Sequence, residues 1–137
     1  MKIYLSFVLL FILSLHTFSQ KTKVIDCDQF YHLITINEDV VLLDIRIVEK
    51  YKKMRIINSF WAGNKDTLKP IIIDLNKQMP IFLYCEIGKR SKQCSKWLNS
   101  LGYKNIYELK GGFKDWLKNG YPVDSSKVVT QNSLLNE

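Results

Sequence analysis

The sequence predicts an α/β domain with a mostly parallel five-stranded sheet and helices on both faces. Two observations predict it. Short apolar runs alternate along the chain with stretches in which apolar residues recur every three or four positions. The runs are typical of strands buried on both faces, and the recurring spacing is typical of amphipathic helices. Strands that alternate with helices throughout a chain favour a parallel sheet.

Five apolar segments are the predicted strands. The clearest are VVLLDI and IFLYC, each bounded by polar or turn-forming residues. The predicted strands span residues 24–25, 40–45, 56–61, 81–85 and 106–109.

Four segments are the predicted helices. Asp26 or Asp28 is the expected N-cap of the first, and Asp66 or Thr67 that of the second. Gly102 and Gly120 lie just past the expected ends of the third and fourth, as is usual for C-caps. The apolar faces contain Phe30, Leu33 and Ile34; Leu68, Ile71, Ile72 and Leu75; Cys94, Trp97, Leu98 and Leu101; and Phe113, Trp116 and Leu117.

The chain begins with a predicted signal peptide over residues 1–19, with cleavage expected before Gln20. A lysine at position 2 precedes the apolar run FVLLFIL, which suits a secretory leader and is short for a membrane span. The predicted domain then covers residues 20–123, and 124–137 form a polar tail. The protein is therefore expected to be periplasmic or secreted. If the leader is retained, it would anchor the protein in a membrane; a helix buried in the domain is the remaining alternative.

Composition excludes several functions. The net charge is +7, but the lysines are scattered singly and no basic stripe with interleaved aromatics is present, so no nucleic-acid partner is expected. Three cysteines are too few for a disulfide framework, and one apolar run excludes a multi-span transporter. Two histidines and no C-x-x-C motif give no metal site.

One loop carries the candidate chemistry. It contains Cys85, Glu86, Ile87, Gly88, Lys89, Arg90 and Ser91. Cys85 ends a predicted strand, and a helix is expected to begin near Arg90 or Ser91. Unpaired N–H groups and the positive end of the helix dipole would favour the thiolate, and Lys89 and Arg90 add positive charge. Gly88 permits the tight curvature that turns successive N–H groups inward.

The loop, C-x-x-G-x-R-S, resembles the active loop of the rhodanese-like sulfurtransferase family. The resemblance extends upstream to residues 42–46 (LLDIR), followed by Glu49 and Tyr51. Downstream it includes residues 101–103 (LGY), 106–109 (IYEL), 111–113 (GGF) and Trp116, so that it covers roughly residues 23–123.

This resemblance implies a rhodanese-like fold and sulfur transfer without a cofactor. The Cys85 thiolate would take the outer sulfur of a small anionic donor such as thiosulfate. The resulting persulfide would pass it to a thiol, to cyanide or to an acceptor protein. Arg90 would hold the loop and attract the donor, with help from Lys89. Asp44 and Arg46 would support the structure, the arginine bridging to nearby carbonyls or to an acid such as Glu49; Glu86 is expected to face solvent.

The chain also departs from the family's pattern. Residues 54–59 (MRIINS) stand where the family usually has Gly-His-Ile-Pro-Gly-Ala, which puts contacts at the rim of the site in question. This departure favours the alternative of a non-catalytic module that binds or carries a persulfide for a partner. A cysteine phosphatase is disfavoured, because Arg90 follows Cys85 in a C-x4-R loop, shorter than the C-x5-R loop that such an enzyme needs.

The other two cysteines leave further alternatives open. A thiol–disulfide enzyme would use Cys85 and Cys94, although Cys94 shares a helical face with apolar residues and is expected to pack. Cys27 lies near a helix start, and either a free thiol or a disulfide with Cys94 is compatible with the sequence.

Overall fold

A computed structural model of the protein describes residues 22–128. The predicted signal peptide lies outside the described residues, as does the predicted tail from residue 129 onward. The strands are β1 (Lys23–Ile25), β2 (Val41–Asp44), β3 (Arg55–Ile56), β4 (Phe60–Trp61), β5 (Ile81–Tyr84), β6 (Ile106–Leu109) and β7 (Val123–Asp124). The helices are α1 (Cys27–Ile36), α2 (Val48–Lys53), α3 (Lys65–Ile72), α4 (Lys89–Ser100) and α5 (Gly112–Lys118).

The central sheet has five strands in the order β1-β6-β5-β2-β4, and every pairing in it is parallel. The predicted five-stranded sheet is confirmed. Both of its faces are buried, because neighbouring residues of a strand belong to opposite clusters. Leu43 and Leu83 pack with Leu98 of α4, whereas Leu42 and Phe82 pack on the other face with the α1 and α5 side chains.

The predicted strand over residues 56–61 is wrong as a single element. The structure divides it into β3 and β4, separated by a turn in which Asn58 has a φ of 63° and the Ser59 N–H donates to the Ile56 carbonyl at 3.1 Å. Only β4 joins the central sheet; β3 pairs with β7 in an antiparallel two-stranded ribbon. The apolar residues on either side of Asn58 and Ser59 are typical of one continuous strand, and they concealed the turn between β3 and β4.

The helix boundaries agree with the sequence in most places. Asp26 caps α1, its carboxylate accepting from the Gln29 N–H. Asn64, two residues before the first of the expected caps, is the N-cap of α3 and forms a reciprocal capping box with Thr67. The short α2 was not predicted, because none of its side chains is buried and it therefore shows no apolar face. Within residues 22–128, no helix has the length and apolar character needed to cross a bilayer.

The parallel topology brings the functional loops together. The central strands all end at one edge of the sheet, so the segments that follow β2, β4, β5 and β6 meet there. These segments contain Arg46, Gly63, the loop from Cys85 to Ser91, and the pair Gly111 and Gly112.

Candidate active site

Cys85 lies between β5 and α4, directly after the last residue of the strand. Its side chain is almost fully enclosed, since the residue is 2% exposed. The Gly88 N–H donates to the Cys85 Sγ at 3.1 Å, and the Ser91 Oγ lies 3.6 Å from the same sulfur. The loop therefore curls around the sulfur and presents hydrogen-bond donors to it.

The surroundings of Cys85 lower the pKa of its thiol. Burial acts in the opposite direction and is the largest single influence. The N–H and hydroxyl of Ser91 and the N–H groups of Ile87 and Gly88 together outweigh it, so the pKa lies below its ordinary value. Donors that stabilise a thiolate also stabilise the terminal sulfur anion of a persulfide, which carries the same charge one bond further out.

Gly88 allows the loop to enter the helix. It is the N-cap of α4 and has a φ of 93°, a left-handed conformation that glycine adopts without strain. A Cβ there would meet no atom within 4 Å, so backbone conformation, and not space, requires glycine. The Ser91 Oγ lies 3.1 Å from the Gly88 carbonyl oxygen and 3.6 Å from the Cys85 Sγ, so its one proton can be donated to either atom.

The start of α5 holds the outer side of the loop. The Phe113 N–H donates to the Cys85 carbonyl at 2.8 Å, and the Lys114 N–H donates to the Glu86 carbonyl at 3.1 Å. A Cβ on Gly112 would lie 2.5 Å from the Cys85 carbonyl oxygen, so the two segments can approach this closely only with glycine. Because these carbonyls face α5, the following N–H groups are free to face the sulfur. The sequence did not predict this role of Gly112. The only signal for it is the pair of adjacent glycines, Gly111 and Gly112.

Asp44 and Arg46 form a buried pair beneath this edge. The Arg46 Nη2 lies 2.7 Å from the Asp44 Oδ2 and also donates to the Met54 carbonyl at 2.6 Å. The guanidinium carbon is 3.8 Å from the centre of the Phe113 ring. The pair thus ties the end of β2 to the residue before β3 and to α5. Arg46 bridges Asp44 and the Met54 carbonyl, and Glu49 does not take part in these contacts.

Glu86 is held by cations and does not extend freely into solvent as expected. Its Oε2 lies 3.1 Å from the Lys50 Nζ and 3.9 Å from the Arg46 Nη1, although the side chain is still 41% exposed. An open cavity of about 300 Å³ lies beside these three residues, and Met54 and Phe113 also line it. The Glu86 carboxylate is therefore partly neutralised by Lys50 and Arg46.

The cations of the loop point outward. Arg90 donates from its Nη2 to the Gly63 carbonyl at 2.9 Å, and this is its one side-chain hydrogen bond to the described part of the chain. It holds the start of α4 against the segment after β4, and not the carbonyls of its own loop as expected. Lys89 is exposed and forms no ion pair with any of residues 22–128.

The other two thiols differ from Cys85 in both pKa and position. Burial and the nearby Glu108 carboxylate raise the pKa of Cys94 to about 12. Burial, together with Asp115 and other acids, also raises the pKa of Cys27. Cys27 and Cys94 belong to clusters on opposite faces of the sheet, and all three thiols are free. The hypothesis of a Cys27–Cys94 disulfide is therefore wrong. Residues 22–128 contain no group of three potential metal ligands.

Comparison with known families agrees with this geometry. The profile of the rhodanese-like domain matches residues 21–119. This chain belongs to the rhodanese-like domain family. The predicted membership is confirmed over most of the chain, and the relatives named thiosulfate sulfurtransferase support sulfur transfer at the level of the family.

Among the relatives of this rhodanese-like protein is the thiosulfate sulfurtransferase GlpE of Tolumonas auensis. It is 31% identical over 87 residues, covering 64% of this chain and 80% of that protein. Rhodanese-like domain-containing protein 17 of Arabidopsis thaliana is 29% identical, covering 86% of this chain and 87% of its own length. The crystal structure of a rhodanese-related protein from Thermoplasma volcanium superposes with a TM-score of 0.63 at 24% identity, covering 76% of this chain and 99% of that one. This last likeness establishes the fold.

Proposed function

We propose that the protein is an exported single-domain sulfurtransferase that moves sulfane sulfur from an anionic donor such as thiosulfate to a thiophilic acceptor through a Cys85 persulfide. The observation that carries the proposal is the hydrogen bonding of the Cys85 sulfur. A buried thiol with a lowered pKa faces the N–H groups of its own loop at the start of α4. That arrangement suits a nucleophile whose charge persists after it has reacted.

The first half of the reaction is a displacement at sulfur. The Cys85 thiolate attacks the outer sulfur of thiosulfate, a new S–S bond forms, and the S–S bond of the donor breaks to release sulfite. The negative charge of the enzyme then rests on the outer sulfur of the persulfide. The N–H of Gly88 and the hydroxyl of Ser91, which already face Sγ, are placed to stabilise that charge.

In the second half, cyanide or a thiol attacks the outer sulfur, and the electron pair of the S–S bond returns to Cys85. Cyanide leaves as thiocyanate and a thiol leaves as a persulfide, so the thiolate is restored without an external oxidant or reductant. Neither half requires an acid or a base from the protein, and no cofactor is proposed.

The atypical segment over residues 54–59 does not form the surroundings of the nucleophile. The Met54 carbonyl accepts from Arg46, and the Ile56 N–H donates to the Tyr84 hydroxyl at 3.1 Å. Ser59 Oγ lies 3.0 Å from the same hydroxyl. These contacts give the segment a structural role at the rim, which is compatible with catalysis at Cys85.

Intact-mass measurement tests the reaction directly. Incubation with thiosulfate should add one sulfur atom to the protein, and cyanide should then remove it. Cys85→Ser should give neither change, because its hydroxyl is not ionised near neutral pH, whereas Cys94→Ser serves as the matched control and should behave as the parent does. A sulfur adduct that resists cyanide and thiols would indicate a persulfide carrier. No adduct in the parent would refute sulfur transfer from thiosulfate.

Export is part of the proposal and rests on the composition of residues 1–19. Expression of the full chain in a bacterial host, followed by fractionation and N-terminal sequencing, tests it. Recovery of a chain that begins at Gln20 in the periplasm or medium is expected. Full-length protein in the membrane fraction would mean that the leader is a retained anchor, and full-length protein in the cytosol would contradict export.

A further inference from the structure

We propose that a lysine-lined groove beside the Cys85 loop is the docking surface for an acidic acceptor protein. The proposal rests on the sulfur-transfer function proposed above and names the kind of partner that receives the sulfur. The groove has a volume of about 590 Å³ and lies between α4 and the edge strand β1. Lys89, Lys92, Lys96 and Lys110 surround it, and Val24 and Ile87 provide its apolar surface.

The positive charge of this lysine groove is not neutralised by any ion pair within residues 22–128. Lys89, Lys92 and Lys96 follow one another along α4, and none of the four lysines forms an ion pair with residues 22–128. The one carboxylate in the lining belongs to Glu108, which is buried and accepts a hydrogen bond from the Ser95 hydroxyl. The groove therefore presents four cations to a ligand, with its one acid facing a serine.

The position of Lys89, at the start of α4, is unfavourable for the helix itself. Cations near a helix N-terminus oppose its dipole. The other four helices each have an acid in the first turn, but the first turn of α4 has none and begins with Lys89 and Arg90. Stability of α4 thus does not explain this charge, whereas attraction of an anionic partner does.

The lining favours a protein over a small anion. Its cations are exposed lysines on flexible stems, which hold a single small ion weakly, but several weak contacts add up across a protein surface. Val24 and Ile87 are 61% and 52% exposed, and they offer the apolar contact that a protein interface buries. Within residues 22–128 the Val24 side chain of β1 is left exposed, so a partner can reach this side of the groove from solvent.

A partner in the groove would lie next to the reacting sulfur. Ile87 and Lys89 flank Gly88, whose N–H donates to the Cys85 Sγ. A cysteine on an acidic surface would therefore be held near the persulfide. Its thiol attacks the outer sulfur, the S–S bond to Cys85 breaks, and the partner leaves with a persulfide that carries the thiol proton, while Cys85 regains its thiolate.

Two synthetic peptides test the proposal, each with one cysteine. In the first, the cysteine is flanked by three glutamates on each side; in the second, glutamines replace them. With thiosulfate as the donor for both, we expect kcat/KM to be about 10-fold higher for the glutamate peptide at low salt, with the ratio falling towards one as salt screens the charges. The ratio cancels any effect on the donor half of the reaction. Thiosulfate:cyanide transfer, measured in parallel, reports the proposed function on its own.

A charge-matched pair of variants locates the effect. Lys92→Gln/Lys96→Gln should reduce the peptide ratio at least about 3-fold, since two of the four cations are lost. Lys69→Gln/Lys104→Gln removes the same net charge from exposed positions outside the groove and should leave the ratio unchanged. An equal rate for the two peptides in the parent, or an equal loss in both variants, would overturn the proposal even where thiosulfate:cyanide transfer is intact. Absence of that transfer would instead refute the proposed function.

Discussion

Cys85 and Cys94 lie nine residues apart, yet the protein shifts their pKa values in opposite directions. The pKa of Cys85 is lowered, and that of Cys94 is raised to about 12. Burial raises the pKa in both cases, so burial does not distinguish them. What differs is the set of groups that face each sulfur: N–H and hydroxyl donors at Cys85, and the Glu108 carboxylate at Cys94.

The difference follows from position relative to one helix. Cys85 precedes α4, where the first N–H groups of the helix have no carbonyl partner within it and can bind the sulfur. Cys94 lies inside α4, where the backbone N–H groups are committed to carbonyls one turn back. A thiol within a helix is therefore desolvated without gaining hydrogen-bond donors, whereas a thiol just before the helix accepts hydrogen bonds that stabilise its thiolate.

The largest expected difference between the two is in alkylation rate. At pH 7, a pKa of about 12 leaves roughly one Cys94 in 100,000 as thiolate. Iodoacetamide labelling of the native protein, mapped by peptide mass, should therefore modify Cys85 at least about 100-fold faster than Cys94. Labelling after denaturation provides the control, since both thiols should then react alike. Similar alkylation rates for Cys85 and Cys94 in the native protein would contradict the opposite pKa shifts.

Gly112→Ala should disturb Cys85 from the outer side of its loop. The new Cβ would lie 2.5 Å from the Cys85 carbonyl oxygen. The loop must therefore shift, and its N–H groups would no longer point at the Cys85 sulfur. We expect kcat/KM for sulfur transfer to fall about 10-fold or more. Gly120→Ala is the matched control: its φ of 72° is also left-handed, but its Cβ would meet nothing within 4 Å.

Both glycine variants should lose about 1 kcal/mol of unfolding free energy from backbone strain, measured by urea denaturation, and Gly112→Ala should lose more because of its clash with the Cys85 loop. Only Gly112→Ala should lose activity beyond the folded fraction. Equal activity in the two variants would show that contact with α5 does not shape the loop.

Ser91→Ala removes a donor from the surroundings of Cys85 and should make it more like Cys94. The hydroxyl favours the thiolate, so its loss should raise the pKa of Cys85. At pH values below that pKa, less thiolate is present, and the rate should fall about 3-fold to 10-fold; at alkaline pH, the variant should approach the parent. A pH profile of iodoacetamide alkylation measures this. Ser100→Ala, at the exposed end of α4, should leave the profile unchanged, and an unshifted profile for Ser91→Ala would contradict a role for its hydroxyl.

Cys94→Ala should have the smallest effect on activity. Cys94 packs against the core cluster that contains Leu98, and its raised pKa keeps it protonated. We expect transfer from thiosulfate to stay within about 2-fold of the parent, with a loss of about 1 kcal/mol in unfolding free energy from lost packing. Near-complete loss of activity in a folded variant would restore the hypothesis of a dithiol enzyme.

The sequence alone was enough to predict the sheet and the location of the loop. Apolar runs such as VLLD and IFLY mark strands because burial on both faces requires them to be apolar throughout. The order of Cys85, Gly88 and Arg90 marks the loop because the chemistry and the turn depend on residue type at fixed spacing. Both are local properties, and they can be seen in the order of residues.

The tertiary structure decided the contacts between distant segments. The split of residues 56–61 into β3 and β4 depends on pairing with β7, which lies more than sixty residues away. The direction of the Glu86 side chain depends on Lys50 and Arg46, and the partner of Arg90 is the Gly63 carbonyl. The spacing of residues along the sequence does not predict these partners, because they come from distant segments of the chain.

The amino-acid sequence by itself therefore determined the fold and the location of the candidate nucleophile. Only the tertiary structure decided how that residue is set up for reaction. The donors around Cys85 come from the start of α4, which the sequence predicts. Their orientation depends on α5, whose N–H groups donate to the Cys85 and Glu86 carbonyls. The physical reason is that an apolar pattern or a turn residue acts on its chain neighbours, whereas a hydrogen bond between distant segments exists only after the sheet has brought them to the same edge.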